Sequence, residues 1–266
     1  MTVIAGVAGQ PIAHSLSPLL HNAWITAAGL DAAYRAHGPA DAAEFEALVA
    51  RGRSGALRGL NVTAPFKEQA LALADTVSAV ARGCGSANLL IFDHGRIHAD
   101  STDGIGLMAA LAEQAPDLVV RDRSVVVLGA GGAARAAVRT LIAAGAEVAV
   151  LNRTSVRAEA LAADLGATVA GPAALETAAL VVNALSVPPT IDLSVLPDDA
   201  VVMDMTYQPL ITPFLAAAAA RGLKGVDGLA MLIGQARPSF SALFGITPPA
   251  IDVRTLALAA LGEVDR

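Results

Sequence analysis

One continuous stretch, residues 121–154, constrains the fold of this chain more than any other: RDRSVVVLGAGGAARAAVRTLIAAGAEVAVLNRT. An apolar run suited to a buried strand leads into a glycine-rich turn, and an amphipathic segment then continues to Gly145. A second apolar run follows. Two strands joined by a helix run parallel, because the helix carries the chain back over the sheet before the next strand starts. The stretch therefore predicts a strand–helix–strand unit within an α/β fold.

Short apolar runs alternate with helical stretches along the rest of the chain as well, which is typical of α/β proteins with parallel sheets. In the first hundred residues, strands are predicted at 2–9, 32–38, 56–63 and 87–93. Further strands are predicted at 180–186 and 200–206, with a helix near 213–222. The 266 residues are enough for two domains, each with its own core. We therefore expect two α/β units.

Turn and capping residues mark several element ends. Ser17 followed by Pro18 is typical of an N-cap and a first helical residue, and Gly29 is expected to end that helix. The sequence DHGR, residues 93–96, predicts a hairpin turn. From about Pro238 onward the chain is expected to be helical but too short to fold alone, so this segment must pack on one of the two units.

The glycine-rich turn GAGGAA, residues 129–134, follows a strand and opens a helix, which is the context in which this pattern indicates a dinucleotide site. Gly129 would make the tight turn, Gly131 would let a pyrophosphate approach the backbone, and the small Ala134 would let helix and strand pack closely. The N-terminal helical N–H groups, near Ala130, Gly132 and Ala133, would face that anion. The alternative is a turn that serves packing alone.

The end of the following strand bears on the choice of nucleotide. About 20 residues after the first glycine, proteins that bind NAD place an acidic residue on the adenosine ribose. Here the strand ends in Asn152, Arg153 and Thr154, with Arg157 one helical turn further on. An uncharged amide does not repel a 2′-phosphate, and two guanidinium groups can clamp one. NADP is therefore preferred over NAD, unless both arginines are merely solvated.

These signals define the expected domains. Residues 1–103 together with 238–266 should form an N-terminal α/β substrate-binding and catalytic domain. Residues 104–237 should form a Rossmann-type, doubly wound nucleotide-binding domain.

Polar residues of the first unit fall at the ends of its predicted strands, where ligands of α/β sheets bind. We therefore expect these residues to converge on one crevice: Ser15, Ser17, Asn61, Thr63, Lys67, Asn88 and Asp103. Hydroxyls at a helix start suit a carboxylate, amides suit alcohols, and a Lys/Asp pair suits a reacting carbon. Each also has a simpler interpretation, since Ser17 and Asp103 can be helix caps and the asparagines can be turn residues.

Lys67 is one of only two lysines, the other being Lys224, whereas the chain has 16 arginines. Either residue type serves as a solvated surface charge, but only a lysine readily gives up its proton when it is partly buried. Lys67 is therefore a candidate acid/base group. The alternative is a surface lysine retained by chance.

Composition excludes several other classes. The mean hydropathy of +0.57 comes largely from alanine, and no apolar run is long enough to span a membrane. The N-terminus lacks the basic region of a signal peptide. The single Cys84 fits a reducing compartment, and the net charge of −6 with no basic cluster argues against nucleic acid as a partner. The five histidines show no metal-ligand spacing, so no metal is expected. We expect a cytoplasmic monomer or homodimer that acts on a small molecule.

Seven motifs together resemble the shikimate dehydrogenase family, in the family's order and spacing: PIAHSLSP, NVTAPFKE, TDGIG, LGAGGAARA, NRTSVRAE, DMTYQPLITPFL and GLAMLIGQA. The resemblance covers nearly the whole chain. It implies two α/β domains, with the C-terminal helices returning to the first, and NADP-dependent reduction of 3-dehydroshikimate to shikimate in aromatic amino acid biosynthesis.

The resemblance also implies roles for individual residues. Lys67 would transfer the proton with Asp103 beside it, and Ser15 and Ser17 would hold the substrate carboxylate. Ring hydroxyls would be held by Asn61, Asn88 and Asp103, in a pocket also lined by Thr63, Tyr207 and Gln235.

Three positions depart from the family's usual motifs: Leu89, Ser101 and Leu185. All lie near the presumed site, so a relative acting on quinate or aminoshikimate is an alternative. A non-catalytic protein that senses the nucleotide or the acid is an alternative of another class. The presence of both Lys67 and Asp103 argues against it, because a sensor needs no titratable pair.

Overall fold

The computed structural model describes residues 2–263. Contacts divide the chain into two compact units, which we call unit 1 (residues 2–102 and 235–263) and unit 2 (residues 103–234). The two junctions lie one and three residues before the expected ones. The first junction differs because Asp103 is the first residue of helix Asp103–Gln114, which belongs to unit 2. The second differs because Pro238 lies inside a long helix and starts no new segment.

Unit 1 alternates strands and helices and is completed by helices from the C-terminal part of the chain. Its strands are β1 (Val3–Ala8), β2 (Ala32–His37), β3 (Gly59–Val62), β4 (Thr76–Val77), β5 (Leu89–Asp93) and β6 (Arg96–Asp100). Its helices are α1 (Ser17–Ala27), α2 (Ala42–Arg53), α3 (Lys67–Ala72), α4 (Ala79–Cys84), the end of α9 (Gly228–Phe244) and α10 (Val253–Leu261).

The sheet of unit 1 is mixed, with strand order β2-β1-β3-β5-β6-β4. Strand β1 runs parallel to β2 and β3, but β5 runs antiparallel to both β3 and β6. The expectation of parallel sheets throughout is therefore wrong for this unit. The tight turn at His94 and Gly95, both with positive φ, returns the chain directly into β6 as a hairpin, so β5 and β6 are antiparallel.

Unit 2 contains a fully parallel sheet. Its strands are β7 (Ser124–Leu128), β8 (Glu147–Leu151), β9 (Thr168–Val169), β10 (Leu180–Asn183), β11 (Val201–Asp204) and β12 (Lys224–Val226), in the order β12-β11-β10-β7-β8-β9. Its helices are α5 (Asp103–Gln114), α6 (Gly132–Ala143), α7 (Ser155–Leu165), α8 (Pro213–Ala220) and the start of α9, with 3-10 turns at Pro172–Thr177 and Leu193–Val195. This is the doubly wound arrangement expected from the sequence.

Alternate residues of β7 pack on opposite faces of this sheet. Val125 and Val127 belong to a core cluster with Leu141 of α6, whereas Val126 and Leu128 belong to a second cluster with Phe214 of α8. A strand presents successive side chains to opposite faces, so a continuous apolar run indicates burial on both. The order of strands reverses between β7 and β10, and the crevice at such a switch point is where α/β sheets bind ligands.

The start of α1 differs from expectation. Ser17 is the first residue of α1, and Leu16 occupies the N-cap position without a side-chain capping bond. The interpretation of Ser17 as an N-cap is therefore wrong. The C-terminal segment is helical as expected, in the end of α9 and in α10, although Pro238 lies inside α9. Gly29, with a φ of 63°, follows the end of α1 as expected.

No helix formed by residues 2–263 is long and apolar enough to cross a membrane. Within the same residues, no group of three or more His, Cys, Asp or Glu side chains is arranged to hold a metal ion.

Candidate functional site

Strand direction brings several polar residues of unit 1 to one edge of its sheet. Asn61 lies near the carboxyl end of β3 and pairs with Leu89 at the start of β5. Because these strands are antiparallel, Asn88, which precedes β5, lies beside the end of β3. Leu89 in turn pairs with Asp100 at the end of β6, so Thr102 reaches the same edge. The sheet thus collects Asn61, Asn88 and Thr102 although they come from strands of opposite direction.

Asn88 is the centre of a buried hydrogen-bond network at this edge, with only 2% of its surface exposed. Its Nδ2 donates to Oε1 of Gln235 over 2.7 Å and to Oγ1 of Thr102 over 3.0 Å. The backbone N–H of Thr102 donates to Oδ1 of Asn88 over 2.8 Å. Gln235 lies 147 positions further along the chain, so the network joins α9 to the sheet.

Asn61 is held by three bonds of its own. The hydroxyl of Tyr34 donates to Oδ1 of Asn61 over 2.7 Å, and Nδ2 of Asn61 donates to Oγ of Ser239 over 2.9 Å and to the carbonyl oxygen of Asn88 over 3.2 Å. Burial raises the pKa of Tyr34 well above its usual value, so its hydroxyl stays protonated and remains a donor. The amide orientation of Asn61 is therefore defined, and Oδ1 keeps its second lone pair for a donor such as a substrate hydroxyl.

The two candidate carboxylate-binding serines lie where the loop after β1 enters α1. The backbone N–H of Ser17 donates to Oγ of Ser15 over 3.3 Å, which places the two residues side by side. Ser17 is buried and Ser15 is half-buried. Because Ser17 does not cap the helix, its hydroxyl is not required by α1. The start of a helix of 11 residues also offers partial positive charge to an anion.

Lys67 is the half-buried first residue of α3. Its carbonyl oxygen accepts a bond from the backbone N–H of Ala87 over 2.9 Å, which fixes its backbone next to Asn88. The preceding Phe66 is buried and its ring stacks on Phe45 with centroids 4.7 Å apart. Thr63 lies just upstream, with its N–H bonded to the carbonyl oxygen of Ala8 over 2.9 Å. The structure thus anchors Lys67 at the same sheet edge as the network.

Two further candidates, Asp103 and Tyr207, belong to unit 2. Asp103 is buried at the first position of α5, where a carboxylate is favoured by the helix dipole. It directly follows Thr102 in the chain. Tyr207 is half-buried in the loop after β11. The pairing of Lys67 with Asp103 stays a prediction.

The loop that carries Tyr207 is organised by the buried carboxylate of Asp204. Its Oδ1 accepts bonds from Nδ2 of Asn183 over 3.0 Å and from the N–H of Thr206 over 2.9 Å. Its Oδ2 accepts a bond from Oγ1 of Thr212 over 2.7 Å, and Thr212 in turn caps α8. One carboxylate therefore ties together the ends of β10 and β11 and the start of α8.

The glycine-rich turn of unit 2 fits a phosphate-bearing cofactor. Gly129 has a φ of 114°, and a Cβ there would also lie 3.2 Å from Cδ2 of Leu185, so glycine is required by the protein itself. Gly131 has an ordinary φ of −93°, and a Cβ there would meet no protein atom within 4 Å. Its lack of a side chain instead leaves open space at the N-terminus of α6, as approach of an anion to the backbone requires.

Residues expected to read the ribose lie beside this turn. The N–H of Gly129 donates to the carbonyl oxygen of Leu151 over 2.9 Å, which places the turn next to the end of β8. There Nδ2 of Asn152 donates to the carbonyl oxygen of Thr154 over 2.9 Å. Arg153 and Arg157 are both exposed. Two solvent-accessible guanidinium groups thus accompany the glycine-rich turn.

Tyr34, Thr102 and Ser239 take part in the network but are not among the residues singled out from the sequence. Thr102 could have been noticed, because it follows a predicted strand and precedes Asp103 directly. Tyr34 lies within a strand and Ser239 within a helix, and the residues next to them in the sequence do not indicate that both bond to Asn61. For Ser239 the partner Asn61 is 178 positions away.

Two family models match the chain. One describes the shikimate dehydrogenase substrate binding domain and matches residues 7–90, and the other describes shikimate / quinate 5-dehydrogenase and matches residues 110–189. A relative from Caulobacter vibrioides, named shikimate dehydrogenase (NADP(+)), is 54% identical over 98% of this chain and 97% of its own length. The chain belongs to the shikimate dehydrogenase family.

Solved structures of this family and its relatives have the same fold. Shikimate 5-dehydrogenase from Thermus thermophilus, in complex with NADP(H) and shikimate, aligns with a TM-score of 0.86 and 34% identity over 99% of this chain and 98% of that chain. Quinate dehydrogenase from Corynebacterium glutamicum, in complex with NAD, aligns with a TM-score of 0.86 and 30% identity over 97% of this chain and 99% of that chain.

The three positions that depart from the usual shikimate dehydrogenase motifs have distinct surroundings. Leu89 is buried and pairs with Asn61 across the sheet. Ser101 is buried, and its hydroxyl has no hydrogen-bond partner within residues 2–263. Leu185 lies against the glycine-rich turn at Gly129. The first two lie in unit 1 near the network of Asn88, and the third lies in unit 2 at the glycine-rich turn.

Proposed function

We propose that this chain is an NADP-dependent shikimate dehydrogenase, an oxidoreductase that acts on a CH–OH group and interconverts 3-dehydroshikimate and shikimate in aromatic amino acid biosynthesis. The observation that carries the proposal is the hydrogen-bond network of the buried Asn88 with the half-buried Asn61 and Gln235, at the sheet edge where Lys67 begins α3. Amides fixed beside a half-buried lysine suit a polyhydroxylated ring that gains or loses a proton.

On the substrate side, Ser15 and Ser17 hold the carboxylate at the start of α1. Asn61, Asn88 and Asp103 hold ring hydroxyls, and Thr63, Tyr207 and Gln235 complete the pocket. In reduction the ammonium group of Lys67 donates a proton to the carbonyl oxygen while the carbon receives hydride, and in oxidation Lys67 takes the proton back. Asp103 accompanies Lys67 as the second member of the catalytic pair.

The cofactor is NADP(H), which supplies the hydride when it is bound. Backbone N–H groups of the turn formed by residues 129–133 face its pyrophosphate. These residues are Gly129, Ala130, Gly131, Gly132 and Ala133. Asn152 and Thr154 lie at the ribose, and Arg153 and Arg157 bind the 2′-phosphate. Support comes from the open space at Gly131 and from the exposure of both arginines.

A second candidate is a quinate dehydrogenase. It is favoured by the structural similarity to the quinate enzyme of Corynebacterium glutamicum and by the two substrate-side departures, Leu89 and Ser101. The unpartnered hydroxyl of Ser101 is a specific difference, because a substrate with an additional ring hydroxyl offers it a partner. An aminoshikimate substrate has no such observation in its favour.

Steady-state kinetics test the proposal directly. The expected result is that kcat/KM for oxidation is highest with shikimate and NADP⁺ among the four combinations of shikimate or quinate with NADP⁺ or NAD⁺. A higher value with quinate would reassign the substrate, and a higher value with NAD⁺ would reassign the cofactor. Binding of shikimate and NADP⁺ without turnover would favour the sensing protein.

We further propose a cytoplasmic location and a monomeric or homodimeric assembly. The one cysteine, Cys84, is buried, which fits a reducing compartment. Light scattering coupled to gel filtration distinguishes the two assemblies, with about 27 kDa expected for a monomer because the chain mass is 26.7 kDa.

A further inference from the structure

Ser239 lies inside α9, and no part of its surface is exposed. Its Oγ donates to the carbonyl oxygen of Gln235 over 3.0 Å, one helical turn earlier. The same oxygen accepts a bond from Nδ2 of Asn61 over 2.9 Å and lies 3.1 Å from Oγ1 of Thr102. A hydroxyl has one hydrogen to donate and two lone pairs to accept with. Thr102 is therefore the donor in the last pair, and the capacity of Ser239 is fully used.

These bonds place Ser239 between two residues of the substrate-side network. Asn61 is held from the other side by Tyr34, so its amide lies between two buried hydroxyls. Thr102 is held by Asn88 as well as by Ser239. Without the hydroxyl at 239, Nδ2 of Asn61 keeps only the longer bond to the carbonyl oxygen of Asn88, at 3.2 Å, while Oδ1 keeps its bond from Tyr34. The hydroxyl of Thr102 can then turn to Oδ1 of Asn88, 3.3 Å away.

We propose that Ser239 is a positioning residue that fixes the amide of Asn61 so that its Oδ1 faces a ring hydroxyl of the substrate. This inference rests on the proposed function. Ser239 acts through Asn61, and its hydroxyl has no capacity left for a substrate. Asn61 takes no part in the proton transfer that we assign to Lys67, so loss of its orientation should weaken the binding of substrate and transition state alike. The effect appears in KM and not in kcat.

The first test replaces Ser239 by alanine, which suits a helix interior and removes only the hydroxyl. We expect the KM for shikimate to rise about 3- to 10-fold with kcat within about 2-fold, the range of one neutral hydrogen bond. The KM for NADP⁺ should not change. The matched control is Ser241→Ala, because Ser241 lies on the same helix and also donates to a carbonyl oxygen one turn earlier, that of Arg237, over 3.3 Å. This variant should match the wild type.

A double-mutant cycle separates positioning from a general loss of stability. In an Asn61→Ala background, Ser239→Ala should raise KM by less than about 1.5-fold, because the amide it orients is gone. An equal rise in both backgrounds would overturn the proposal. So would a fall in kcat at unchanged KM, or a KM equal to that of the wild type.

A ligand-free measurement keeps this test separate from the proposed function. In protein labelled with ¹⁵N, the side-chain amide signals of Asn61, assigned by their absence in Asn61→Ala, should shift in Ser239→Ala and stay in place in Ser241→Ala. Unmoved signals would overturn the proposal whether or not the wild type oxidises shikimate. If Ser239→Ala does not fold, Ser239→Cys serves instead, because a thiol is a weaker partner of similar size and should give a smaller shift in the same signals.

Discussion

At the scale of single residues, the lysine at position 67 is informative about its role, because arginine is the basic residue that this chain uses almost everywhere else. The chain uses arginine for 16 of its 18 strongly basic side chains, yet it has lysine at the start of α3. The backbone there is fixed by the bond to Ala87 and by the buried ring of Phe66. A guanidinium could occupy the position but could not easily exchange a proton.

Replacement of Lys67 by alanine tests this role. We expect kcat to fall about 10²- to 10⁴-fold with a much smaller change in KM, because proton transfer is felt in the transition state. The control is Lys224→Ala, since Lys224 is the other lysine and is exposed on β12. An unchanged kcat with a KM raised by orders of magnitude would make Lys67 a binding residue.

The residue scale also shows what sequence could predict about the site. Asn61 and Asn88 were found because a polar residue that interrupts or borders an apolar run is visible locally. Tyr34 and Ser239 were not, because their hydrogen bonds to Asn61 depend on a partner that only the folded chain brings close. Ser239 follows Gln235 by one turn of α9, and nothing at that spacing indicates a bond to a strand.

At the scale of elements, the prediction was best for segments in which each strand, turn and helix has its own sequence pattern. In unit 2 the strand β7, the turn at Gly129 and the helix α6 each carry their own signal, and the doubly wound sheet is confirmed. Strands β9 and β12 have two and three residues and too little sequence for a pattern. In unit 1 the hairpin that joins β5 and β6 was predicted correctly, but the antiparallel pairing of β5 with β3 was not.

The segment after β8 is the element that we expect to distinguish the two nicotinamide cofactors. Replacing Arg153 and Arg157 together by alanine should weaken NADPH binding about 10- to 100-fold, since charge-assisted bonds are lost from an exposed site. NADH binding should change little, because NADH has no 2′-phosphate. Arg139→Ala, on an exposed position of α6, is the control. Equal losses for both cofactors, measured by fluorescence titration, would contradict the assignment.

The start of α1 is the element expected to bind the carboxylate. Replacing Ser15 and Ser17 together by alanine should raise the KM for shikimate about 10-fold or more, since bonds to a charged group are the stronger kind. The effect should nearly vanish for an analogue with a neutral hydroxymethyl group, because that analogue lacks the contacts in both proteins. A rise by the same factor for acid and analogue would show that the serines support only the loop.

At the scale of the whole molecule, unit 1 is built from both ends of the chain, and aromatic packing joins them. Phe240 of α9 packs edge-on against Trp24 of α1 with ring centroids 5.5 Å apart, and it also contacts His21. His21 stacks on Tyr34 at 4.0 Å. The bond from Asn61 to Ser239 crosses the same junction. The hydrogen-bond network around Asn61 and the packing of α9 on α1 therefore lie at the same junction of unit 1.

His21 makes the stability of this interface depend on pH. Burial lowers the pKa of His21 from 6.5 to about 3, and its Nδ1 has no hydrogen-bond partner within residues 2–263. Between these two pH values the unfolded chain binds a proton at His21 and the folded chain does not. The free energy of unfolding should therefore fall as the pH is lowered below about 6.5, by at most ~1.4 kcal/mol per pH unit from this residue.

The variant His21→Phe separates this contribution from all others, because a phenyl ring can stack on Tyr34 but cannot be protonated. Its overall stability can differ from that of the wild type, so the quantity compared is the slope of unfolding free energy against pH from 6.5 to 4. Trp24 is the only tryptophan and packs edge-on against His21 with centroids 5.7 Å apart, so its fluorescence in urea titrations reports on this interface. We expect a shallower slope in the variant and equal slopes for the two proteins above pH 7. Parallel slopes over the whole acidic range would mean that His21 takes up a proton in the folded chain as readily as in the unfolded one.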